Sequence, residues 1–166
     1  MRLTKRGDCH RAAAPRTGLG HVGNAQNALR SWSATLSLSN TVHTLTASAV
    51  DAAGNVGAST NSAVIGTTGN DVLSGRAGSV LTGGGGNDTF VFTGNFASQV
   101  VTDFHPSGTS QDVIELSHSL FSSFADIMAH TTEVGSSAVI TADASHIVAL
   151  ANVNATTLHS SNFLLV

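Results

Sequence analysis

The feature that most constrains the fold is a nine-residue period within residues 66–91. Residues 66–74 (GTTGNDVLS) and 83–91 (GGGGNDTFV) share one frame, in which Gly-Asn-Asp is followed two places later by an apolar residue. The intervening residues 75–82 (GRAGSVLT) form a shortened copy without Asp. A period this short has room for one turn and one short strand, so it predicts a stack of strands wound by repeated turns.

Each position of the frame has a physical role. Glycine permits positive φ and close approach of neighbouring backbones, so carbonyl oxygens can converge on an ion. The Asp supplies the hard anionic oxygen that Ca²⁺ prefers. The apolar residue points inward and stacks on its counterparts; these are Leu73, Leu81 and Phe90, with Val64 or Ile65 beginning the stack. The frame therefore predicts a short parallel β-roll of Gly/Asp-rich repeats that binds calcium.

Turns of such a roll alternate between two edges, so Asp71 and Asp88 are expected to share an edge, while the edge of the Ser79 turn lacks its carboxylate. One calcium site is predicted between the two Asp-bearing turns. The candidate ligand positions are Gly66, Gly69, Asp71, Gly83, Gly84, Gly86 and Asp88, with Asp103 and Asp112 as secondary candidates. The alternative is a flexible Gly-rich linker, which does not account for the recurrence of Gly-Asn-Asp with its apolar partner.

Charge is distributed very unevenly along the chain. Six of the seven Lys and Arg residues lie in the first thirty positions, whereas residues 31–166 carry nine carboxylates against Arg76, a net charge of 1 − 9 = −8. This acidic body argues against nucleic-acid binding, which needs a basic footprint.

Cys9 is the single cysteine, so disulfides and Cys-based metal sites are excluded. No apolar run is long enough to predict membrane insertion, and we expect a monomer.

Composition and patterning divide the chain into four parts. Residues 1–30 are basic and lack both periodicity and an apolar signal-peptide core; we expect a disordered tail, or a segment foreign to the domain that arises from a misplaced start or a frameshift. Residues 31–62 alternate as β-strands, residues 63–92 form the predicted roll, and residues 93–166 form a β-rich cap.

The predicted cap contains strands near residues 99–104 and 112–116 joined by a Pro/Gly/Ser turn, and a hairpin formed by residues 138–141 and 146–150. Between them one short helix is expected, with Ser123 and Asp126 as its N-terminal capping pair. One face of this helix would carry Phe121, Phe124, Ile127 and Met128.

Two stretches resemble known families. Residues 32–56, with Trp-Ser-Ala and an Ala-Ala-Gly-Asn ending, resemble the second half of bacterial Ig-like repeats; a closed sandwich needs about seven strands, so only a partial domain is expected. Residues 66–166 resemble the RTX (hemolysin-type) calcium-binding repeats and the C-terminal domain of serralysin-type secreted metalloproteases. The features are the Gly-rich repeats, Val-Thr-Asp103-Phe104 with residues 112–116, the Phe-rich helix and the Asn162-Phe-Leu-Leu-Val end.

That resemblance implies a calcium-loaded β-roll outside the cell and an uncleaved C-terminal signal for a type I secretion transporter. The second repeat is short, and Thr67 replaces a glycine in the first repeat. Both departures affect the number of calcium ions that the roll is expected to bind. Phe163 to Val166 is either the last core strand or part of the signal, and the two roles are compatible.

No catalytic activity is expected, because none of the eight histidines begins an H-E-x-x-H motif and no G-x-S-x-G is present. The sequence thus predicts a calcium-binding, type I secretion module of a secreted, extracellular or cell-surface, adhesin-like protein. Alternatives are the C-terminal module of a secreted hydrolase (a metalloprotease or lipase) and a gene remnant.

Overall fold

The computed structural model describes residues 40–46, 49–50, 53–57 and 62–166. The basic segment 1–30 and the expected strand at residues 32–38 lie outside these ranges. The described part consists mainly of β-strands with one short α-helix, which confirms the predicted class at that level. Among the described residues, no helix has the length and apolar character needed to cross a bilayer.

The strands in chain order are β1 (His43–Thr46), β2 (Ala49–Val50), β3 (Val56–Gly57), β4 (Ser62–Ile65), β5 (Val72–Leu73), β6 (Val80–Thr82), β7 (Thr89–Phe92), β8 (Ser98–Val101), β9 (Val113–Leu116), β10 (Thr131–Val134), β11 (Ser137–Thr141), β12 (Ile147–Leu150) and β13 (Phe163–Leu165). The α-helix α1 is Phe124–Ala129, and 3₁₀ turns lie at Ala155–Thr157 and Ser160–Asn162.

The strands that follow one another from β4 to β9 alternate between two sheets. In the first sheet, β4, β6 and β8 pair in parallel; in the second, β5, β7 and β9 do the same. The complete orders are β1-β4-β6-β8-β12-β11-β10 and β13-β9-β7-β5, with β2 and β3 forming a separate pair. The predicted turn-and-strand period therefore produces parallel ladders whose connecting turns lie alternately at two edges.

The core lies between the two sheets and is formed by alternate residues of β4 to β9, β11 and β12. Leu73 and Phe90 are register partners in the second sheet, and Leu81 pairs with Val64 in the first. All four are buried, so the expected inward stack is present and begins at Val64 rather than Ile65. Burial of each such side chain contributes roughly 1.5–3 kcal/mol, which ties the repeat register to the stability of the fold.

The cap follows the sequence pattern at short range. Ser123 accepts a hydrogen bond from the backbone N–H of Asp126 at 3.2 Å, which confirms the predicted cap of α1. Strands β11 and β12 form the predicted hairpin. In its described part, the segment predicted to alternate as β-strands contributes β1, which pairs with β4, and the β2–β3 pair.

At longer range, β8 and β9 belong to different sheets, and residues 102–112 cross from one sheet to the other. Strand β13 pairs in parallel with β9, which brings the end of the chain beside the last turn of the winding.

Candidate cation site at one turn edge

Three turns lie at the same edge of the winding, since each leads from the first sheet to the second. They are residues 66–71, 83–88 and 102–112, and we call them together the acidic edge. The first two stack directly, because the backbone N–H of Gly85 donates to the carbonyl oxygen of Thr67 at 2.9 Å. This is the edge on which the sequence placed Asp71 and Asp88.

Glycine is required where these turns touch. Gly84 has φ +94°, and a Cβ added there would overlap the carbonyl oxygen of Thr67. Gly86 has φ +107°, and its Cβ would lie 2.6 Å from the carbonyl carbon of Gly69. L-residues rarely adopt such φ values, and the spacing between the turns leaves no volume for a side chain. Two of the predicted glycine positions thus fix how closely the turns approach.

Three carboxylates form a ladder along the acidic edge. Asp71, Asp88 and Asp112 immediately precede β5, β7 and β9 and stand at equivalent register positions. The backbone N–H of Asp71 donates to Oδ1 of Asp88 at 3.0 Å, and that of Asp88 donates to Oδ1 of Asp112 at 2.9 Å. The carboxylates of Asp88 and Asp112 therefore each tie their own turn to the preceding one.

Further carboxylate contacts act within one turn or between neighbouring turns. Oδ2 of Asp71 accepts the backbone N–H of Thr67 at 2.6 Å and the Thr67 hydroxyl at 2.8 Å. The two oxygens of Asp103 accept the N–H groups of Gly83 and Gly84 at 2.8 and 2.9 Å. Asp103, which lies two residues after β8 in the third turn, thus contacts the second turn of the same edge.

The edge concentrates negative charge. Burial raises the pKa of Asp88 above 3.8; the Asp71 N–H opposes this, while the charges of Asp112, Asp71 and Asp103 raise the pKa further. The imidazole of His105 lies 3.4 Å from Asp112 Oδ2. Arg76, the sole Lys or Arg among the described residues, is exposed on the opposite edge. The four carboxylates therefore have no strong cation beside them.

The structure brings the sequence-predicted site residues together. Gly66, Gly69 and Asp71 lie in the first turn, and the remaining primary candidates (Gly83, Gly84, Gly86 and Asp88) lie in the second. The secondary candidates Asp103 and Asp112 belong to the same cluster as Asp71 and Asp88.

A local signal for the third rung is present in the sequence. The Asp-x-apolar unit Asp112-Val-Ile114 repeats Asp71-Val-Leu73 and Asp88-Thr-Phe90. Ile114 is buried and is the register partner of Phe90. The contribution of Thr67, whose hydroxyl caps Asp71, is a second feature that the glycine pattern alone did not reveal.

The oxygen atoms left free define what the edge can bind. Within the described part of the chain, Oδ1 of Asp71 and Oδ2 of Asp88 accept no hydrogen bond. In the same part of the chain, no group of three or more His, Cys, Asp or Glu side chains forms a ready-made metal cage. A cation here would be held by the free carboxylate oxygens together with turn carbonyls, a hard all-oxygen set that suits Ca²⁺.

Comparisons with known proteins include a structural likeness to a secreted enzyme. No family model matches the sequence, and no curated protein matches it. Among solved structures, the extracellular lipase LipA from Serratia marcescens is similar, with a TM-score of 0.44 and 19% sequence identity. The match covers 75% of this chain and 24% of the lipase chain; this chain thus spans about a quarter of that protein's length.

Proposed function

We propose that this chain is a calcium-binding, non-catalytic module of a secreted or cell-surface protein. On this proposal the alternating two-sheet winding is a short parallel β-roll of the RTX type, and Ca²⁺ binds at the acidic edge. One observation carries the proposal: Asp71, Asp88, Asp103 and Asp112 converge on two interfaces between stacked turns, and no Lys or Arg of the described residues lies beside them.

The electrostatics of this edge favour a bound cation. Two unit charges at 4 Å repel by about 1 kcal/mol in water and about 4 kcal/mol at an effective dielectric constant of 20. Asp88 is buried and close to three further carboxylates, so the metal-free edge is destabilised at neutral pH. A divalent cation offsets this repulsion and leaves the backbone hydrogen bonds of the ladder in place.

The donor chemistry favours calcium over other cations. Carboxylate and carbonyl oxygens on irregular turns match the six to eight flexible oxygen ligands of Ca²⁺, whereas Mg²⁺ demands near-octahedral geometry and dehydrates reluctantly. Thiolate-preferring metals are disfavoured because the described residues contain no cysteine. Extracellular calcium modules bind at roughly 10⁻⁴ to 10⁻³ M, and we expect this range here.

The direct test is calcium-coupled folding of the full chain. Far-UV circular dichroism and thermal unfolding would be recorded in EDTA and across Ca²⁺ concentrations around 10⁻³ M, with equal Mg²⁺ as the control. We expect β signal and the unfolding midpoint to rise with Ca²⁺ only, since a ligand at one to ten times its Kd adds about 0.4–1.4 kcal/mol. Identical spectra and midpoints in EDTA and in Ca²⁺ would contradict the proposal.

A pair of isosteric variants locates the effect. Asp88→Asn removes a buried charge of the acidic edge, whereas Asp143→Asn removes an exposed one that is paired with His146 at 2.8 Å. We expect Asp88→Asn to raise the Ca²⁺ midpoint about tenfold or more, and Asp143→Asn to leave it unchanged. If both variants bind calcium like the parent protein, the acidic edge is not the site.

A further inference from the structure

The opposite turn edge carries a second ladder built without carboxylates, and the exposed Arg76 is its one charged residue among the described residues. It comprises residues 74–79 and 93–97, which lead from the second sheet back to the first, and we call it the neutral edge. Parallel pairing aligns Ala63 with Val80 and Val80 with Val100. The residues just before these three are Ser62, Ser79 and Gln99, all buried, and they stand where the acidic edge has Asp71, Asp88 and Asp112.

Hydroxyl groups here make the contacts that carboxylates make on the other side. The Ser62 and Ser79 hydroxyl oxygens are 2.7 Å apart and hydrogen bonded. The Ser79 hydroxyl accepts the backbone N–H of Arg76 at 2.9 Å, just as Asp71 accepts the N–H of Thr67. The turn is therefore closed by a neutral group that needs no counter-ion.

The Gln99 amide packs against both turns of the neutral edge. Its Nε2 donates to the carbonyl oxygen of Phe96 at 2.9 Å, which fixes the orientation of the amide. Its Oε1 is buried without a hydrogen bond and lies against Gly75, where an added Cβ would overlap it. The same Cβ would lie 2.6 Å from Cβ of Ser79.

Backbone bonds complete the closure of the neutral edge. The N–H of Gly78 donates to the carbonyl of Ser98 at 2.8 Å, and the N–H of Val100 donates to the carbonyl of Ser79 at 3.0 Å. Neither bond lies beside a carboxylate ladder, so no like-charge repulsion opposes its formation in metal-free protein.

We infer that the two edges differ in ion dependence: the neutral edge binds no cation and stays closed in metal-free protein, and it holds the strands in register for calcium at the acidic edge. This inference rests on the proposed calcium function for the acidic edge only. It assigns Ser62, Ser79 and Gln99 a positioning role and confines bound calcium to the interfaces of the three acidic-edge turns.

Residue-resolved amide hydrogen exchange on the full chain tests the inference. In EDTA we expect the amides of Gly78 and Val100 to remain protected, while those of Gly85, Thr89 and Val113, which bond across the acidic edge, gain at least tenfold protection on adding Ca²⁺. Loss of protection at Gly78 and Val100 in EDTA would overturn the inference. If these two stay protected and Ca²⁺ changes nothing at the acidic edge, the calcium function fails while the neutral edge remains metal-independent.

A pair of variants isolates the effect of charge. Ser79→Asp and Ser79→Asn introduce side chains of equal size, and only the first restores a carboxylate to the neutral edge. In EDTA we expect exchange at Val100 to be at least tenfold faster in the Asp variant than in the Asn variant. Equal exchange rates in two folded variants would overturn the argument that this edge stays closed without calcium because it lacks carboxylates. If neither variant folds, the exchange pattern of the parent protein decides.

Discussion

At the scale of single residues, Asp88 combines a buried carboxylate with three neighbouring negative charges. Its carboxylate is buried, and it lies among Asp71, Asp103 and Asp112. Because its pKa is raised above 3.8, the folded metal-free protein holds this proton more tightly than the unfolded chain. The stability that Asp88 contributes is therefore greatest below pH 3.8 and is lost as the pH rises through the raised folded value.

This sign gives a prediction for metal-free protein. In EDTA, the unfolding free energy of the parent protein, taken relative to that of Asp88→Asn, should fall as the pH rises from about 3.8 through the raised pKa. Denaturant titrations at several pH values would measure it. In the opposite sense, calcium affinity should fall as the pH is lowered through the same range, because protonation removes the ligand charge. A pH-independent difference would contradict the assigned environment of Asp88.

At the scale of elements, the stacked turns depend on glycines that admit no side chain. Gly86 and Gly108 have nearly equal φ values, +107° and +104°, but a Cβ at Gly108 meets nothing within 4 Å. Both changes to Ala incur left-handed backbone strain of roughly 1–2 kcal/mol. Only Gly86→Ala also pushes the second turn away from Gly69 in the first.

We therefore expect Gly108→Ala to lower the unfolding free energy by the strain alone and to keep parental calcium affinity. Gly86→Ala should lose more stability and weaken calcium binding several-fold. Calcium titrations and denaturant unfolding of the two variants would measure both quantities, and equal calcium affinities would show that the contact between these turns does not shape the site.

The C-terminal strand is a second element whose attachment can be tested. Asn162 is fully buried, and its Nδ2 donates to the carbonyl oxygens of Pro106 and Asp112 at 2.9 and 3.2 Å. Asn162→Ala removes both bonds and leaves the Pro106 carbonyl with only the longer bond from Gln111 Nε2 at 3.3 Å, so we expect a loss of about 1–3 kcal/mol. Asn95→Ala, at an exposed position, should change stability by less than about 0.5 kcal/mol. Comparable losses in both variants would contradict an anchoring role for Asn162.

At the scale of the whole molecule, the secretion signal that the sequence resemblance implies concerns the chain end. Strand β13 lies at the edge of the second sheet, and Leu164 and Val166 are exposed. With the full chain fused behind a slow-folding passenger in cells carrying a type I transporter, we expect the passenger in the medium. Deleting residues 163–166 should stop transport, whereas Asp88→Asn should spare transport and impair folding afterwards. Retention in the cytoplasm with several RTX-type transporters would contradict the signal role.

The local pattern of the sequence was sufficient for the winding and for half of the site. The inward positions Leu73, Leu81 and Phe90, the shared edge of Asp71 and Asp88, and the hairpin of β11 with β12 all follow from residues close together in the chain. Such features could be predicted because a turn and a strand of fixed period leave one register that buries the apolar residues.

Only the tertiary structure decided what lies across longer separations. The crossing of residues 102–112 places Asp112 as the third rung of the ladder and Asp103 beside the second turn. The sequence could not predict this placement, because a long irregular loop has no period that fixes its register. The pairing of β13 with β9 and the alignment of Gln99 with Ser79 arise in the same way. These contacts join segments that are distant in the chain. They are determined by the packing of the two sheets around one core and not by local preferences of the chain.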